Sequence, residues 1–228
     1  MWLKYMQNIA DNLTQVRRLI QHSAQTAGRN PSDITLLAVS KTKTPADIEA
    51  AYAAGQRDFG ENYAQEALPK IAALNHPDLV WHFIGPIQSN KTRDIAEHFH
   101  WVHTVDRLKI AERLNHQRPA HLPPLQVCIQ VNIDADEAKS GCIPTETAVL
   151  GEAIRRLPNL HLRGLMAIPQ ENSGAQPFHD LAQLAHSLRR DGLMLDALSM
   201  GMSADMALAI AAGSTLVRVG SAIFGARR

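Results

Sequence analysis

A chain of 228 residues, 45% of them hydrophobic, is long enough to bury one large core and has the size of a single-domain α/β barrel. Its 23 Lys and Arg residues nearly cancel its 22 Asp and Glu residues, which argues against binding a nucleic-acid backbone or an anionic membrane surface. The sequence has no signal peptide and no apolar stretch long enough for a bilayer, so we expect a cytoplasmic protein that binds a small molecule.

The first predicted element is a helix that begins near residue 1. Its apolar residues recur at helical spacing, at Leu3, Met6, Ile9, Leu13, Val16 and Ile20. It should end near Gly28, because glycine accepts the left-handed capping conformation and Pro31 prevents continuation. A buried strand is predicted over 34–39, followed by a helix with Thr44 as its N-cap and Pro45 as its first residue.

The same alternation of strand and helix continues to the end of the chain. Further strands are predicted over 58–60, 80–84, 101–105, 126–133, 163–168, 197–200 and 216–219. Helices are predicted over 46–54, 63–74, 106–115, 146–157, 178–190 and 204–212. Eight strands separated by helices favour one (β/α)8 barrel domain over 1–228 with an extra N-terminal helix, although an open doubly wound sheet would show the same alternation.

Cysteines and histidines give no sign of a metal site. Cys128 and Cys142 match no zinc or redox spacing and are expected to be buried, inert thiols. His98, His100 and His103 lack a carboxylate or cysteine that would complete a ligand set, so we interpret them as a surface cluster around Trp101. We also set aside a P-loop over 85–92, because Pro86 removes a backbone N–H donor that such a loop needs.

Polar residues follow the predicted strands, at the barrel face where active sites form. They are Lys41, Glu61, Asn62, His82, Asn132, Ser199 and Arg218, the last of these just ahead of Gly220 and Ser221. A lysine at a buried strand end loses hydration of its ammonium group, which favours the nucleophilic neutral amine that forms Schiff bases. A lysine that merely caps the strand in solvent is the alternative.

Two Gly- and Ser-containing helix starts near the end of the chain suit a phosphate. They begin at Ser199, with Gly201 inside the turn, and at Gly220 with Ser221. Barrels often bind phosphate after strands seven and eight, although ordinary helix caps would have the same composition. Arg218 lies in an otherwise apolar strand and needs an acceptor, either the ring nitrogen of a cofactor or a neighbouring carboxylate.

These segments together resemble the pyridoxal phosphate homeostasis protein family, also called the proline synthase co-transcribed family. The matching motifs are LAVSK over 37–41, FGENY over 59–63, WHFIG over 81–85, QSNK over 88–91, GLMA over 164–167, LSMGMS over 198–203 and VRVG over 217–220. The resemblance runs nearly end to end. It implies a barrel similar to the N-terminal domain of alanine racemase, a pyridoxal 5′-phosphate (PLP) fold of type III.

The resemblance also implies roles for particular residues. Lys41 would hold PLP as a Schiff base, Arg218 would meet the pyridine nitrogen, and Ser199, Gly201, Gly220 and Ser221 would hold the phosphate. Asn62 and His82 would be neighbours of the cofactor. The implied function is intracellular PLP (vitamin B6) homeostasis by a carrier without substantial turnover, as a monomer or weak dimer that serves PLP-requiring apoenzymes.

Two enzymatic alternatives stay open at this point. A PLP-dependent amino-acid racemase needs a base on each face of the cofactor, and alanine racemases are understood to bring the opposing tyrosine from a second domain. This chain ends at Arg228, soon after the eighth strand, so we expect that domain to be absent and Tyr63 to be the one candidate base. A Schiff-base aldolase without PLP would leave Arg218 and the phosphate segments unexplained unless its substrate is phosphorylated.

Overall fold

A computed structural model describes residues 2–136 and 138–225, with side chains from residue 8 onward. Eight parallel strands close into a barrel in chain order. They are β1 (Thr35–Val39), β2 (Asp58–Glu61), β3 (Val80–Phe83), β4 (Trp101–Val105), β5 (Leu125–Gln130), β6 (Leu160–Met166), β7 (Ala197–Ser199) and β8 (Leu216–Val219). The closed barrel is the predicted fold, and the open-sheet alternative is wrong because β1 pairs with β8 along four residues.

Nine α-helices lie within the described residues. They are α1 (Trp2–Thr26), α2 (Pro45–Ala53), α3 (Ala64–Ala73), α4 (Thr92–His98), α5 (Leu108–Gln117), α6 (Thr147–Arg155), α7 (Gln176–Arg190), α8 (Met206–Ala211) and α9 (Ser221–Phe224). In that part of the chain, no helix is both long and apolar enough to cross a bilayer. The sequence prediction missed α4, which follows the segment that resembles a P-loop.

The N-terminal helix α1 packs against α2, α8 and α9. Its buried side chains recur at helical spacing, as predicted: Ile9, Leu13, Val16, Ile20 and Ala24. The predicted contacts at Leu3 and Met6 lie outside the side chains that the structure describes. The amide of Asn12 donates to the carbonyl of Ile223 at 2.9 Å, which ties α1 to the last helix. Gly28 follows the helix with a φ of 66°, the left-handed conformation expected there.

The N-terminus of α2 has the predicted capping residues. The Thr44 side chain accepts a hydrogen bond from the backbone N–H of Asp47, the Asp47 side chain accepts one from the backbone N–H of Thr44, and Pro45 is the first helical residue. This reciprocal cap fixes the start of α2 at Pro45, six residues after β1 ends at Val39. The intervening turn carries Lys41.

Strand β5 ends earlier than predicted, at Gln130 instead of residue 133, so Asn132 follows the strand. After Gln130 the N–H of Val131 still donates to the carbonyl of Met166 of β6 at 2.8 Å, whereas the N–H of Asn132 donates to the carbonyl of Cys142 in a returning segment at 2.9 Å. Gly141 makes this approach possible, because a Cβ atom there would lie 2.6 Å from the backbone nitrogen of Asn132. The apolar run over 126–133 concealed this change of partner.

Both cysteines are buried and carry free thiols, as predicted. Burial raises the pKa of Cys128 to about 12, and burial also raises that of Cys142. The thiolate, which is the reactive form, is therefore disfavoured at both positions. In the described part of the chain, no group of three or more His, Cys, Asp or Glu residues could hold a metal ion.

Candidate functional site

A cavity of about 360 Å³ opens at the carboxyl ends of the strands. It is lined by Arg218 of β8 and by residues that follow β1, β2, β7 and β8: Lys41, Asn62, Ser203, Gly220 and Ser221. Lys41, Asn62, Arg218, Gly220 and Ser221 were all singled out in the sequence. The structure therefore brings together an amine, a guanidinium, an amide and two hydroxyls around one space large enough for a small ligand.

Lys41 is half-buried and lies in the turn between β1 and α2. The next residue, Thr42, has a φ of 64°, in the left-handed region that β-branched residues rarely adopt. Such a conformation persists only where neighbouring contacts determine it. Those contacts come from a charged cluster beside the turn.

The cluster forms hydrogen bonds with Ser40 and Thr42, the residues on either side of Lys41. Before it, the Ser40 hydroxyl donates to Glu61 at 2.6 Å. After it, the Thr42 N–H donates to Glu66. The Lys70 ammonium donates to both carboxylates, at 2.9 Å to Glu61 and 2.7 Å to Glu66, and also to the carbonyl of Ser40 at 3.0 Å. Sequence reasoning noted Glu61 without a role, and it missed Lys70 because a helical lysine gives no sign of burial.

We predict that Lys70→Met lowers the free energy of unfolding by about 3 kcal/mol, because it leaves the Glu61 carboxylate buried without its partner. Burial already raises the pKa of Glu61, and the charge of Lys70 opposes that rise. Urea denaturation of both proteins measures the difference. Lys109→Met, at an exposed helical lysine, is the control and should change the value by no more than about 0.5 kcal/mol. Equal effects of the two substitutions would contradict the account of the cluster.

Arg218 is 5% exposed and is held by oxygen acceptors of the barrel. Its Nη1 donates to the carbonyl and the hydroxyl of Ser199, each at 2.7 Å, and its Nη2 donates to the carbonyl of Ala167 at 2.9 Å. No carboxylate among the described residues forms an ion pair with it, so the salt-bridge alternative is wrong for this part of the chain. Burial lowers its pKa to about 10, and the guanidinium stays protonated at neutral pH.

Asn62 reaches the cavity with an unsatisfied polar atom. Its Oδ1 is buried and accepts no hydrogen bond from the residues that the structure describes. Its backbone is fixed by close contact with Gly85, where a Cβ atom would lie only 1.9 Å from the carbonyl oxygen of Asn62. A buried acceptor without a donor is costly, so this atom points to a ligand that donates to it.

Three of the residues that the resemblance places at the cofactor do not line the cavity: Ser199, Gly201 and His82. Ser199 is fully buried and contacts Arg218, whereas Gly201 sets the turn after β7 with a φ of 93°. A Cβ atom at Gly201 would lie 2.5 Å from that of Ala209, so only glycine fits. His82 is 1% exposed inside the barrel. Ser203, at the end of the 199–203 segment predicted as a phosphate site, lines the cavity, although the phosphate contact was assigned to Ser199.

The interpretation of His103 as part of a surface cluster is wrong, because its side chain is completely buried. Strands β3 and β4 pair in parallel, with His82 opposite Trp101. His103 follows Trp101 by two residues on β4. Side chains two apart on a strand share a face. The Nε2 of His103 lies 2.9 Å from the Nδ1 of His82.

Comparisons with known proteins agree with this architecture. The family model of the alanine racemase N-terminal domain matches residues 6–228. The pyridoxal phosphate homeostasis proteins of Pseudomonas aeruginosa and of Escherichia coli K12 are 58% and 55% identical to this chain. Each alignment covers 97% of this chain, and 97% and 98% of the respective relative.

Solved structures give the same result. PipY of Synechococcus elongatus with PLP bound is 37% identical over 95% of this chain and 100% of its own, with a TM-score of 0.82. Alanine racemase of Corynebacterium glutamicum is 17% identical with a TM-score of 0.70, and shares the fold. This chain covers 60% of that racemase chain. By its sequence, its barrel and these relatives, the chain belongs to the pyridoxal phosphate homeostasis protein family.

Proposed function

We propose that this protein binds PLP in the cavity above the barrel, bonded covalently to Lys41, and that it serves PLP homeostasis as a carrier. The observation that supports this most is the meeting of Lys41 and Arg218 in one cavity with Ser203, Gly220 and Ser221. These groups fit the cofactor. PLP has an aldehyde for an amine, a ring nitrogen for a donor and a phosphate for hydroxyl and backbone N–H groups.

Each lining residue has a proposed role. Lys41 provides the amine for covalent attachment, and when bound the cofactor supplies the aldehyde with which that amine condenses. Arg218 donates to the ring nitrogen, while Ser203, Gly220 and Ser221 hold the phosphate. Asn62 accepts a hydrogen bond from the cofactor at its unsatisfied Oδ1. Outside the cavity, Gly201 sets the turn that leads to Ser203. Ser199 accepts hydrogen bonds from Arg218.

An absorption spectrum tests this function. Titration of the protein with PLP should produce a yellow, near-visible band that borohydride bleaches, because borohydride reduces the bond between an aldehyde and a lysine amine. The same titration of Lys41→Ala is the matched control and should not produce a bleachable band. A wild-type spectrum equal to the sum of free PLP and protein would contradict the proposal.

Arg218 supports a carrier more than an enzyme. A protonated arginine only donates hydrogen bonds, so the ring nitrogen beside it stays unprotonated and the cofactor becomes a poor electron sink. The second base of a racemase also has no counterpart in the described cavity, because no tyrosine lines it. Tyr63 is 59% exposed at the start of α3, and Tyr52 bonds to Asp78 on the surface.

We predict that the PLP-loaded protein does not convert L-alanine to D-alanine at a useful rate. Incubation in deuterated water, followed by NMR, reports loss of the α-proton, and a chiral assay reports the configuration. Exchange with retained configuration would show one-base chemistry at Lys41 and would still agree with a carrier. Catalytic formation of D-alanine that is lost in Tyr63→Phe would replace the carrier with the racemase.

The proposed function also includes delivery of PLP to other proteins. We propose a cytoplasmic monomer or weak dimer that delivers PLP to apoenzymes. Mixing the loaded protein with a PLP-dependent apoenzyme tests the delivery. Recovery of the apoenzyme's activity should be faster than the release of PLP into buffer alone, and an equal rate would show release without delivery.

A further inference from the structure

Four buried or partly buried side chains connect Arg218 to the opposite end of the barrel. Arg218 Nη1 lies 2.7 Å from the Ser199 hydroxyl oxygen, which lies 2.7 Å from Nδ1 of His103. His103 Nε2 lies 2.9 Å from Nδ1 of His82, whose Nε2 lies 3.1 Å from Oδ1 of Asp58. Every link is within hydrogen-bond distance. These four residues, Asp58, His82, His103 and Ser199, are called the relay below.

The relay crosses the barrel from one end to the other. Asp58 is the first residue of β2, and its side chain is 28% exposed at the amino end of the strands. His103 and Ser199 are completely buried, and His82 is 1% exposed. Arg218 lines the cavity at the carboxyl end. Solvent therefore reaches the relay through Asp58.

While both histidines are neutral, the hydrogen bonds of the relay can run in only one donor-to-acceptor order. An arginine only donates and a carboxylate only accepts, so both ends are fixed. Asp58 must accept from His82 Nε2–H, which leaves His82 Nδ1 to accept from His103 Nε2–H. His103 Nδ1 then accepts from the Ser199 hydroxyl, whose oxygen accepts from Arg218. Both histidines therefore carry their proton on Nε2.

The surroundings favour neutral histidines. Burial lowers the pKa of His82, although Asp58 opposes the shift. Burial also holds the pKa of His103 well below its usual value; a positive charge on His82 would lower it further, as the charge of Arg218 does. Protonation of either ring would put a second positive charge near Arg218 and would reverse part of the relay. The neutral, one-directional arrangement is the stable state.

We propose that Asp58, His82, His103 and Ser199 are positioning residues, and that their one-directional relay fixes Arg218 for the ring nitrogen of the cofactor. This inference rests on the proposed PLP site. The Ser199 hydroxyl turns its hydrogen toward His103 and so presents a lone pair to Arg218. Without that orientation, the guanidinium of Arg218 keeps its two carbonyl partners, at Ser199 and Ala167, and loses one of its three acceptors.

The tautomers can be measured without the cofactor. Two-bond ¹H–¹⁵N NMR of the full-length, ¹⁵N-labelled protein at neutral pH distinguishes protonated from unprotonated ring nitrogens. We expect Nε2 of both His82 and His103 to be protonated and both Nδ1 atoms to be unprotonated. In Ser199→Ala the signal of His103 Nδ1 should shift, because it loses its donor. A proton on Nδ1 of either histidine in the wild type would overturn the relay.

Binding measurements test the effect on Arg218. Ser199→Ala and His103→Leu should each weaken PLP binding about tenfold, the cost of about one hydrogen bond to a charged group. They should also shift the ¹⁵N resonance of the pyridine nitrogen in labelled PLP. His186→Gln is the control, since His186 is exposed on α7 and lies outside the relay. Ser199→Ala removes a single oxygen and covers the case in which His103→Leu fails to fold.

The outcomes separate the two proposals. A wild-type protein that binds no PLP overturns the proposed function, whereas the tautomers still report on the relay. Suppose instead that the wild type binds PLP, and that Ser199→Ala and His103→Leu equal His186→Gln in affinity and in pyridine resonance. That result overturns the relay and leaves the proposed function standing.

Discussion

Lys41→Ala is expected to abolish covalent attachment of PLP and to leave weaker, non-covalent binding. The substitution removes the amine, whereas Arg218, Ser203 and Ser221 keep their places around the cavity. The side chain is half-buried in a turn whose backbone is held by Glu66 and Lys70, so the fold should survive. Borohydride reduction followed by intact-mass measurement gives the covalent fraction, and equilibrium dialysis gives the rest.

Lys43→Ala is the matched control, because Lys43 lines the same cavity two residues further along. Its ammonium donates to the carbonyl of Phe224 at 3.1 Å, in the last helix. Borohydride should still fix PLP to this variant. Covalent labelling that persists in Lys41→Ala and disappears in Lys43→Ala would reverse the assignment. Complete loss of PLP from Lys41→Ala would show that the phosphate contacts were misassigned.

Arg218→Ala is expected to weaken PLP binding roughly 10- to 100-fold, the range for a lost hydrogen bond to a charged group. It also removes the guanidinium donor of the Ala167 carbonyl and one of the two donors of the Ser199 carbonyl, so stability should fall as well. Dissociation constants from fluorescence titration, measured below the unfolding transition of each variant, keep the two effects apart.

Arg93→Ala serves as the comparison for Arg218. The Arg93 side chain is 70% exposed on α4 and lies 3.9 Å from Glu97, an exposed pair of little energetic value. Its removal should change PLP affinity by no more than about twofold. If Arg218→Ala and Arg93→Ala bind PLP equally well, Arg218 does not contact the cofactor. Arg218→Lys, which retains a charge, provides a second variant if the alanine substitution prevents folding.

The strand pattern of this fold was readable from the sequence because parallel strands covered on both faces form apolar runs. The predicted bounds of β4 and β8 are those observed. Strand β5 was predicted too long, because the apolar Val131 after Gln130 forms an isolated bridge with Cys142 and does not extend the strand. Hydrophobicity reports burial and does not report the partner of a strand.

Some of the residues that line the cavity were predicted from the sequence, and others were not. Residues just after strands, such as Lys41 and Asn62, were found by their position alone, because strand ends converge at one face. Ser203 and Ser199 could not be told apart as cavity residues, since the Gly201 turn decides which of them reaches the cavity. The pairing of His82 with His103 depends on strand register, which neither histidine reveals by itself.

Site-level mapping of the borohydride-reduced protein tests the central proposal most directly. After reduction with PLP present, proteolysis and fragment-ion sequencing locate the pyridoxyl group on a single lysine. Lys41 lines the cavity with Arg218, Gly220 and Ser221, so the label is expected on Lys41. A label mainly on Lys43 or Lys139, or no label on any lysine, would contradict the assignment of this cavity as the PLP site.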